Sequence, residues 1–327
     1  MIVQPSRIVD MRRFLMSVLC GIALMRCDCG FAQTYPNKPI RLITAEAGGG
    51  GDLVARLIAQ ELTTALGRPM VVDNRAGFLS IEAVDKAAPD GYTLLLYGSS
   101  MWVVPLLRST VSWDVLKDFS PITMPAYSPN ILVVHPSVPV RSVRDLIALA
   151  RARPGELNYA SGAIGSSNQL AAELFKYMAK LNIVQVNYKG TGPALIGVMT
   201  GQVQLIFINQ ASVAPQIKAG RLRAIAMTSA QPSALAPGLP TMASAGLPGY
   251  ELTSKWGFFA PAHTPAAIIE RLNQEIVPIL KRQGVKDRLF NTGVETVGSS
   301  PEELTAIIKS ETERLATVVR QAGISVE

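Results

Sequence analysis

Short apolar runs alternate with longer amphipathic segments from residue 39 onward. Apolar runs bounded by turn residues indicate strands, and apolar residues spaced three and four apart indicate helices. Alternation of the two is typical of α/β folds with mostly parallel sheets. The predicted strands are 39–44, 69–73, 92–97, 131–135, 157–160, 183–188, 203–209 and 222–228. The predicted helices are 53–62, 81–88, 143–151, 168–179, 192–200, 266–283 and 301–321.

Two predicted turns between a strand and a helix are rich in small residues. The first is the glycine run 48–51 followed by Asp52, and the second is the segment 159–167. Backbone N–H groups at a helix start lie at the positive end of the helix dipole, so each turn predicts an anion site. The first run lacks the G-x-x-x-x-G-K-[ST] motif and a Rossmann context. We therefore expect a small carboxylate or similar polar ligand rather than a nucleotide.

Two similar turns, one early and one central, predict two similar domains that face a cleft. Proline-containing segments near 135–139 and 249–256 are the candidate hinge strands. We expect domain 1 to comprise residues 33–137 and 250–327, and domain 2 to comprise residues 138–249.

The first 32 residues have the pattern of a secretory signal peptide. Arginines precede an apolar run at 14–25, and a segment of small residues ends at Ala32, so we expect cleavage before Gln33. Translation could begin at Met1 or Met11, and the lipid-anchor motif at Cys27 is weak. All three cysteines lie in this segment, so the mature chain has no disulfide or thiol chemistry.

Composition narrows the class of protein further. The chain has 327 residues, of which 48% are hydrophobic and 17% charged, and its net charge is +7. The basic residues form no cluster interleaved with aromatic residues, which argues against nucleic acid as a partner. No later apolar run has the ~20 residues that a membrane span needs. We expect an exported, soluble protein of two domains.

Sequence motifs spaced over nearly the whole mature chain carry a family resemblance. They include Y-P-N-K-P-I-R at 35–41, K-A-A-P-D-G-Y-T-L-L at 86–95, L-N-Y-A-S at 157–161, L-A-A-E-L-F at 170–175, Y-K-G at 188–190, G-Q-V at 201–203, K-A-G-R-L-R-A at 218–224 and W-G at 256–257. With these motifs the chain resembles the extracytoplasmic solute receptors of the tripartite tricarboxylate transporter family, the Bug or TctC-like proteins.

The resemblance implies a periplasmic binding protein with a two-lobed, type II-like α/β fold, a hinge and a ligand cleft between the lobes. It implies a small-molecule ligand, either a carboxylate or an amino acid, and no cofactor or metal. The implied partners are the membrane subunits of a tripartite tricarboxylate-type transporter, with a sensor kinase as the alternative. We expect the receptor to be a monomer.

Three positions depart from the family pattern near the expected cleft. Glu46 follows Ala45 where a Pro-Phe pair is usual, Gln169 stands where histidine is common, and Gln204 stands where an acid is common. An acid at Glu46 would repel an anion if it faces the cleft, and it would accept hydrogen bonds from a ligand amino group. Glu46 could equally point outward into solvent.

The candidate ligand contacts lie at strand ends and helix starts, where ligands of α/β proteins collect. Asp52 and the serines of the second turn have a competing role as helix caps, and Trp102 could stack on a ligand or lie in the core. The candidates are Glu46, Gly48, Gly49, Gly50, Gly51, Asp52, Ser99, Ser100, Ser161, Gly165, Ser166, Ser167, Tyr188, Gly190, Thr191 and Asn209.

A secreted serine hydrolase is the rival from another class. The segment 165–169 is not a G-x-S-x-G elbow, and a catalytic triad would have to recruit one of two loop histidines, His135 or His263. We read both histidines as structural and expect a receptor rather than an enzyme.

Overall fold

The computed structural model describes residues 35–45, 47, 50–75, 77–108, 110–162 and 166–322. The chain divides into two units, 1–37 and 38–327, and the described part of the first unit has no helix or strand. The predicted export segment lies outside the described residues. Every element below belongs to the second unit, and none of its described helices is both long and apolar enough to cross a membrane.

The first part of the chain forms three strands with helices between them. A helix that begins with two glycines is the next element after the first strand, as the strand–turn–helix pattern predicts. The elements are β1 (Ile40–Thr44), α1 (Gly50–Leu66), β2 (Met70–Asn74), α2 (Leu79–Asp85), β3 (Thr93–Gly98), α3 (Ser100–Leu107) and α4 (Val115–Asp118).

A long strand, β4 (Phe119–Val134), leads into the second part of the chain. There strands and helices alternate strictly, and each of the next three strands is followed by the start of a helix. The elements are α5 (Val143–Ala152), β5 (Asn158–Ser161), α6 (Ser167–Ala179), β6 (Val184–Asn187), α7 (Thr191–Met199), β7 (Leu205–Asn209), α8 (Gln210–Lys218) and β8 (Arg223–Met227).

The last part of the chain returns to the first three strands. Strand β9 (Thr253–Pro261) pairs with both β3 and β4. It is followed by α9 (Ala266–Lys281), α10 (Gln283–Phe290), β10 (Glu295–Thr296) and α11 (Pro301–Ala322).

The strands form one sheet with the order β2-β1-β3-β9-β4-β7-β5-β6, and β8 and β10 also pair with β4. The expectation of mostly parallel sheets is wrong. Pairs β1–β2, β1–β3, β5–β6 and β5–β7 are parallel, whereas every described pair that includes β4 or β9 is antiparallel. The reason is that β4 and β9 carry the chain in opposite directions between the two groups of strands. The domain limits at 137/138 and 249/250 stay a prediction.

Strand β4 belongs to both parts of the sheet. The first part contains β1, β2, β3, β9 and β10, and the second contains β5, β6, β7 and β8. The beginning of β4 pairs with β9 through two register shifts, near Pro121 and Pro125, where proline has no N–H to donate. Its last part pairs with β7 and β8 and is buried on both faces: Leu132 and Val134 pack in one apolar cluster, Ile131 and Val133 in another. Antiparallel β4 is thus the shared element on which both groups of helices pack.

Serine residues cap two of the helices. The Ser142 hydroxyl accepts a hydrogen bond from Asp145 N at 3.1 Å, at the start of α5. At α11, Ser300 Oγ accepts from Glu303 N at 3.1 Å, and Ser300 N donates to Glu303 Oε2 at 2.8 Å. This reciprocal capping box satisfies two donors that the helix itself cannot pair.

Candidate functional site

A cleft of about 690 Å³ is lined by residues from both parts of the sheet. Four helices contribute first-turn residues to it: Gly50 and Asp52 from α1, Ser167 from α6, Thr191 from α7 and Ser212 from α8. Each helix start carries N–H groups without a helical partner and about half a positive charge. Four of them at one cleft make its wall electropositive without a large excess of basic side chains.

The strands and one loop complete the lining. Asn130 of β4 and Asn209 at the end of β7 are register partners in the sheet. Strand β9 adds Ser254 and Trp256, and the loop after α10 adds Asn291, Thr292 and Val294. The lining is therefore rich in amides and hydroxyls, which suits a polar organic ligand.

Two buried amides in the cleft lining have unused donors. Asn130 is 1% exposed and Asn168 is 8% exposed, and neither Nδ2 has a hydrogen-bond partner among the described residues. A buried donor left unpaired costs about 1–3 kcal/mol. A ligand oxygen that reached either Nδ2 would remove that cost, so these donors suit a ligand that accepts hydrogen bonds.

Trp256 packs against the start of α1. A Cβ built on Gly50 would lie 2.8 Å from Cζ2 of the Trp256 indole, and one built on Gly51 would lie 3.1 Å from its Nε1. The two glycines are thus required by the close approach of a buried ring, in addition to any contact with a ligand. Gly51 does not line the cleft in the described structure, because the indole covers it.

Replacing Gly50 by alanine is therefore expected to destabilise the protein by about 1–3 kcal/mol, since the indole must move to admit the methyl group. The matched control is Gly192→Ala in α7, where a Cβ meets nothing within 4 Å. That change should be neutral or stabilise by up to about 1 kcal/mol. Urea denaturation followed by tryptophan fluorescence measures both. Equal stability of the two variants would contradict the packing role of Gly50.

Asp52 and Arg56 bring opposite charges into the cleft lining. Asp52 is 6% exposed, pairs with Arg56 Nε at 2.9 Å and accepts from Asn74 Nδ2 at 2.8 Å. Asp52 does not occupy the N-cap position considered for it. It lies inside the first turn of α1, which begins at Gly50. Its carboxylate is engaged by neighbours, so its repulsion of an anionic ligand is reduced.

A second acid–arginine group lies beside this pair on β1 and β2. Asp73 accepts from Arg41 Nε at 2.9 Å and from Arg75 Nε at 3.2 Å. Burial raises the pKa of Asp73, but the hydrogen bonds and charges of Arg41 and Arg75 outweigh it and leave the pKa below its usual value. Asp73 thus stays ionised and keeps both arginines in place near the end of β2.

The cleft brings together five of the sequence candidates: Gly50, Asp52, Ser167, Thr191 and Asn209. Glu46, Gly48, Gly49 and Gly165 lie outside the described residues. Their contact with a ligand stays a prediction.

The remaining candidates do not line this cleft. Ser161 is fully buried and accepts from Gln185 Nε2 at 2.7 Å, and Ser166 is the N-cap of α6, bonded to Gln169 N. Ser99 and Gly190 precede the starts of α3 and α7. Ser100 begins α3, and Tyr188 packs over Gly197. Trp102 is a core residue, 2% exposed, whose Nε1 donates to Glu311.

Sequence reasoning missed several lining residues. Asn130, Ser254 and Trp256 lie on the two strands that cross between the parts of the sheet, and Asn168 follows a predicted contact directly. Asn168 could have been predicted from its position, because it falls in the first turn of a helix already predicted to face the ligand. Among the described residues no group of three or more histidines, cysteines or acids could hold a metal ion.

A mixed sheet with helices around it, and a polar cleft between its two parts at four helix starts, define the class of solute-binding proteins with a type II periplasmic-binding-protein fold. A model of the tripartite tricarboxylate transporter family receptor (TctC) matches residues 54–324. The chain belongs to this receptor family, as its sequence motifs predicted.

Known relatives agree with the family and with the fold. Protein BugT of Bordetella pertussis is 37% identical over 298 residues, covering 89% of this chain and 91% of the relative. The solved structure "R. palustris Rpa4515 with adipate" is 36% identical with a TM-score of 0.79, covering 89% of this chain and 99% of that one. MatC from Rhodopseudomonas palustris with bound malate is 28% identical with a TM-score of 0.76, covering 87% and 100%. The predicted fold class is confirmed.

Proposed function

We propose that the chain is a periplasmic receptor that captures a small carboxylate in this cleft and delivers it to the membrane subunits of a tripartite tricarboxylate-type transporter. The observation that carries the proposal is the set of four helix starts around one cleft, which favours negative charge. The delivery step rests on the family, and so do export and the periplasmic location.

The unpaired amides support a ligand that accepts hydrogen bonds. Asn130 and Asn168 offer donors, and a carboxylate has about four acceptor sites and no donors when ionised. A ligand amine would need an acceptor, but the acid that lines the cleft in the described structure, Asp52, is already bonded to Arg56 and Asn74. Unpaired donors together with an already bonded acid favour a carboxylate over an amino acid. Two structures of relatives hold adipate and malate, which are carboxylates of this kind.

The described lining of the cleft does not include the histidine that a serine hydrolase would need. Neither His135 nor His263 lies in it, and His135 Nδ1 lies 2.7 Å from Ser137 Oγ. This arrangement supports a receptor that binds and releases its ligand unchanged. Binding closes the cleft only if the ligand prefers the closed state, in which its polar groups would meet both parts of the sheet.

A comparison of adipate with hexamethylenediamine tests the charge of the ligand at similar chain length. We expect adipate or malate to raise the melting temperature, since a ligand at a hundred times its Kd stabilises the folded state by about 2.7 kcal/mol. The diamine should leave the melting temperature unchanged. Thermal shift followed by calorimetry measures both effects. Binding of the diamine without binding of any carboxylate would contradict the proposal.

A further inference from the structure

Arg56 is a cleft-lining cation whose donors are only partly used. Its Nε bonds to Asp52 Oδ1 at 2.9 Å and its Nη2 bonds to Asn74 Oδ1 at 2.7 Å. A guanidinium has five N–H donors in a fixed fork, and these contacts use two of them. The side chain is 55% exposed. Arg56 therefore combines unused donors with a half-exposed side chain in the cleft lining.

Hydrogen bonds with Asp52 and Asn74 fix the position of the Arg56 guanidinium. Asn74 Nδ2 donates to Asp52 Oδ1 at 2.8 Å and to the Ala45 carbonyl at 2.9 Å, so Asp52, Asn74 and Arg56 hold one another. Arg56 reaches back one helical turn to Asp52, as side chains of a helix do, toward the first turn of α1. A planar donor group held in this way loses little conformational entropy when it binds a ligand.

The unused donors of Arg56 are not needed to bind a first carboxylate in the cleft. A single carboxylate is already provided for by the four helix starts and the unpaired amides of Asn130 and Asn168. The Asp52 carboxylate offsets the charge of Arg56 but occupies only one side of the guanidinium. These contacts leave Nη1 unused, and Nη1 with the second N–H of Nη2 can donate in parallel to a second carboxylate.

We propose that Arg56 is a specificity-determining residue that selects dicarboxylates over monocarboxylates. One carboxylate of the ligand lies at the helix starts and the buried amides, and the second accepts hydrogen bonds from Arg56. Asp52 and Asn74 act as positioning residues for the guanidinium. This inference rests on the proposed function, because it assumes that the cleft takes a carboxylate.

Calorimetric titration with adipate and hexanoate, which differ by one carboxylate on a six-carbon chain, tests the inference. The wild-type chain should bind adipate more tightly than hexanoate. Arg56→Gln should weaken adipate binding about 10- to 100-fold, the range for hydrogen bonds to a charged group. Because this change also unmasks the charge of Asp52, the double variant Asp52→Asn/Arg56→Gln is measured as well. In the double variant the preference for adipate over hexanoate should be lost.

Arg41→Gln is the matched control. Arg41 is similarly exposed, at 48%, and pairs with Asp73, but it does not line the cleft. It should leave the affinity for both ligands unchanged. The role of Arg56 would be overturned if Arg56→Gln left the ratio of adipate to hexanoate affinity unchanged, or if the wild type did not prefer adipate. Either result would leave the proposed function standing. Failure of the wild type to bind any carboxylate would instead overturn the proposed function and this inference with it.

Discussion

Replacing Glu311 by alanine is expected to lower the free energy of unfolding by about 3 kcal/mol, the lower end of the range for breaking a buried ion pair. Glu311 of α11 is 5% exposed. Its Oε1 accepts from Lys255 Nζ of β9 at 2.9 Å, and its Oε2 accepts from Trp102 Nε1 of α3 at 2.9 Å. Alanine would leave a largely buried ammonium and a buried indole N–H without this partner. Glu251, 4.0 Å from Lys255, compensates only in part.

Glu313→Ala is the matched control for this prediction, because Glu313 is an exposed acid on the same helix. It should change the free energy of unfolding by less than about 0.5 kcal/mol, as surface substitutions usually do. Urea denaturation monitored by circular dichroism compares the two variants. Equal stabilities would show that the Glu311 cluster contributes nothing to the anchoring of β9 by α11.

The elements that the sequence predicted well are those with both faces buried or with a clear cap. The segment 157–160 became β5 (Asn158–Ser161), and 143–151 became α5 (Val143–Ala152), which begins after its N-cap Ser142. Local patterns suffice there because a short, mostly apolar run or a capping residue can be recognised from a few adjacent positions.

The full extent of the crossing strands and their pairing with each other could not be predicted from local pattern, although the predicted strand 131–135 and the candidate hinge strand 249–256 overlap them. Strand β4 contains Pro121, Pro125 and Pro129, and prolines argue against a strand when only the sequence is considered. The structure accommodates two of them at register shifts against β9. Because β9 lies more than a hundred residues further along the chain, no local signal reveals that pairing. The antiparallel character of the sheet was missed for the same reason.

The site shows the same division between local and long-range information. Gly50, Ser167 and Thr191 could be found because a helix start after a strand is a local feature. Asn130 and Trp256 lie on β4 and β9, so their presence in the cleft depends on the pairing of these strands, which the sequence did not reveal. Arg56 falls one turn beyond the residues at which a helix start was expected to act.

Replacing Asn168 by aspartate is expected to weaken carboxylate binding by at least about 100-fold. The change replaces an unpaired amide donor in the cleft lining with an acceptor of the same shape and adds a negative charge. Loss of a hydrogen bond to a charged group and like-charge repulsion act in the same direction. An acid in the first turn of α6 is favourable for the helix dipole, so the variant should fold.

Adipate titration by calorimetry at about pH 8, far above the usual aspartate pKa of about 3.9, measures the effect of Asn168→Asp. Asn182→Asp adds the same charge at an exposed position outside the cleft and should leave the affinity unchanged. Circular dichroism establishes that both variants are folded. Wild-type affinity in a folded Asn168→Asp variant would mean that the ligand carboxylate does not approach this amide. The buried donors of the cleft would then have to be satisfied by water rather than by the ligand.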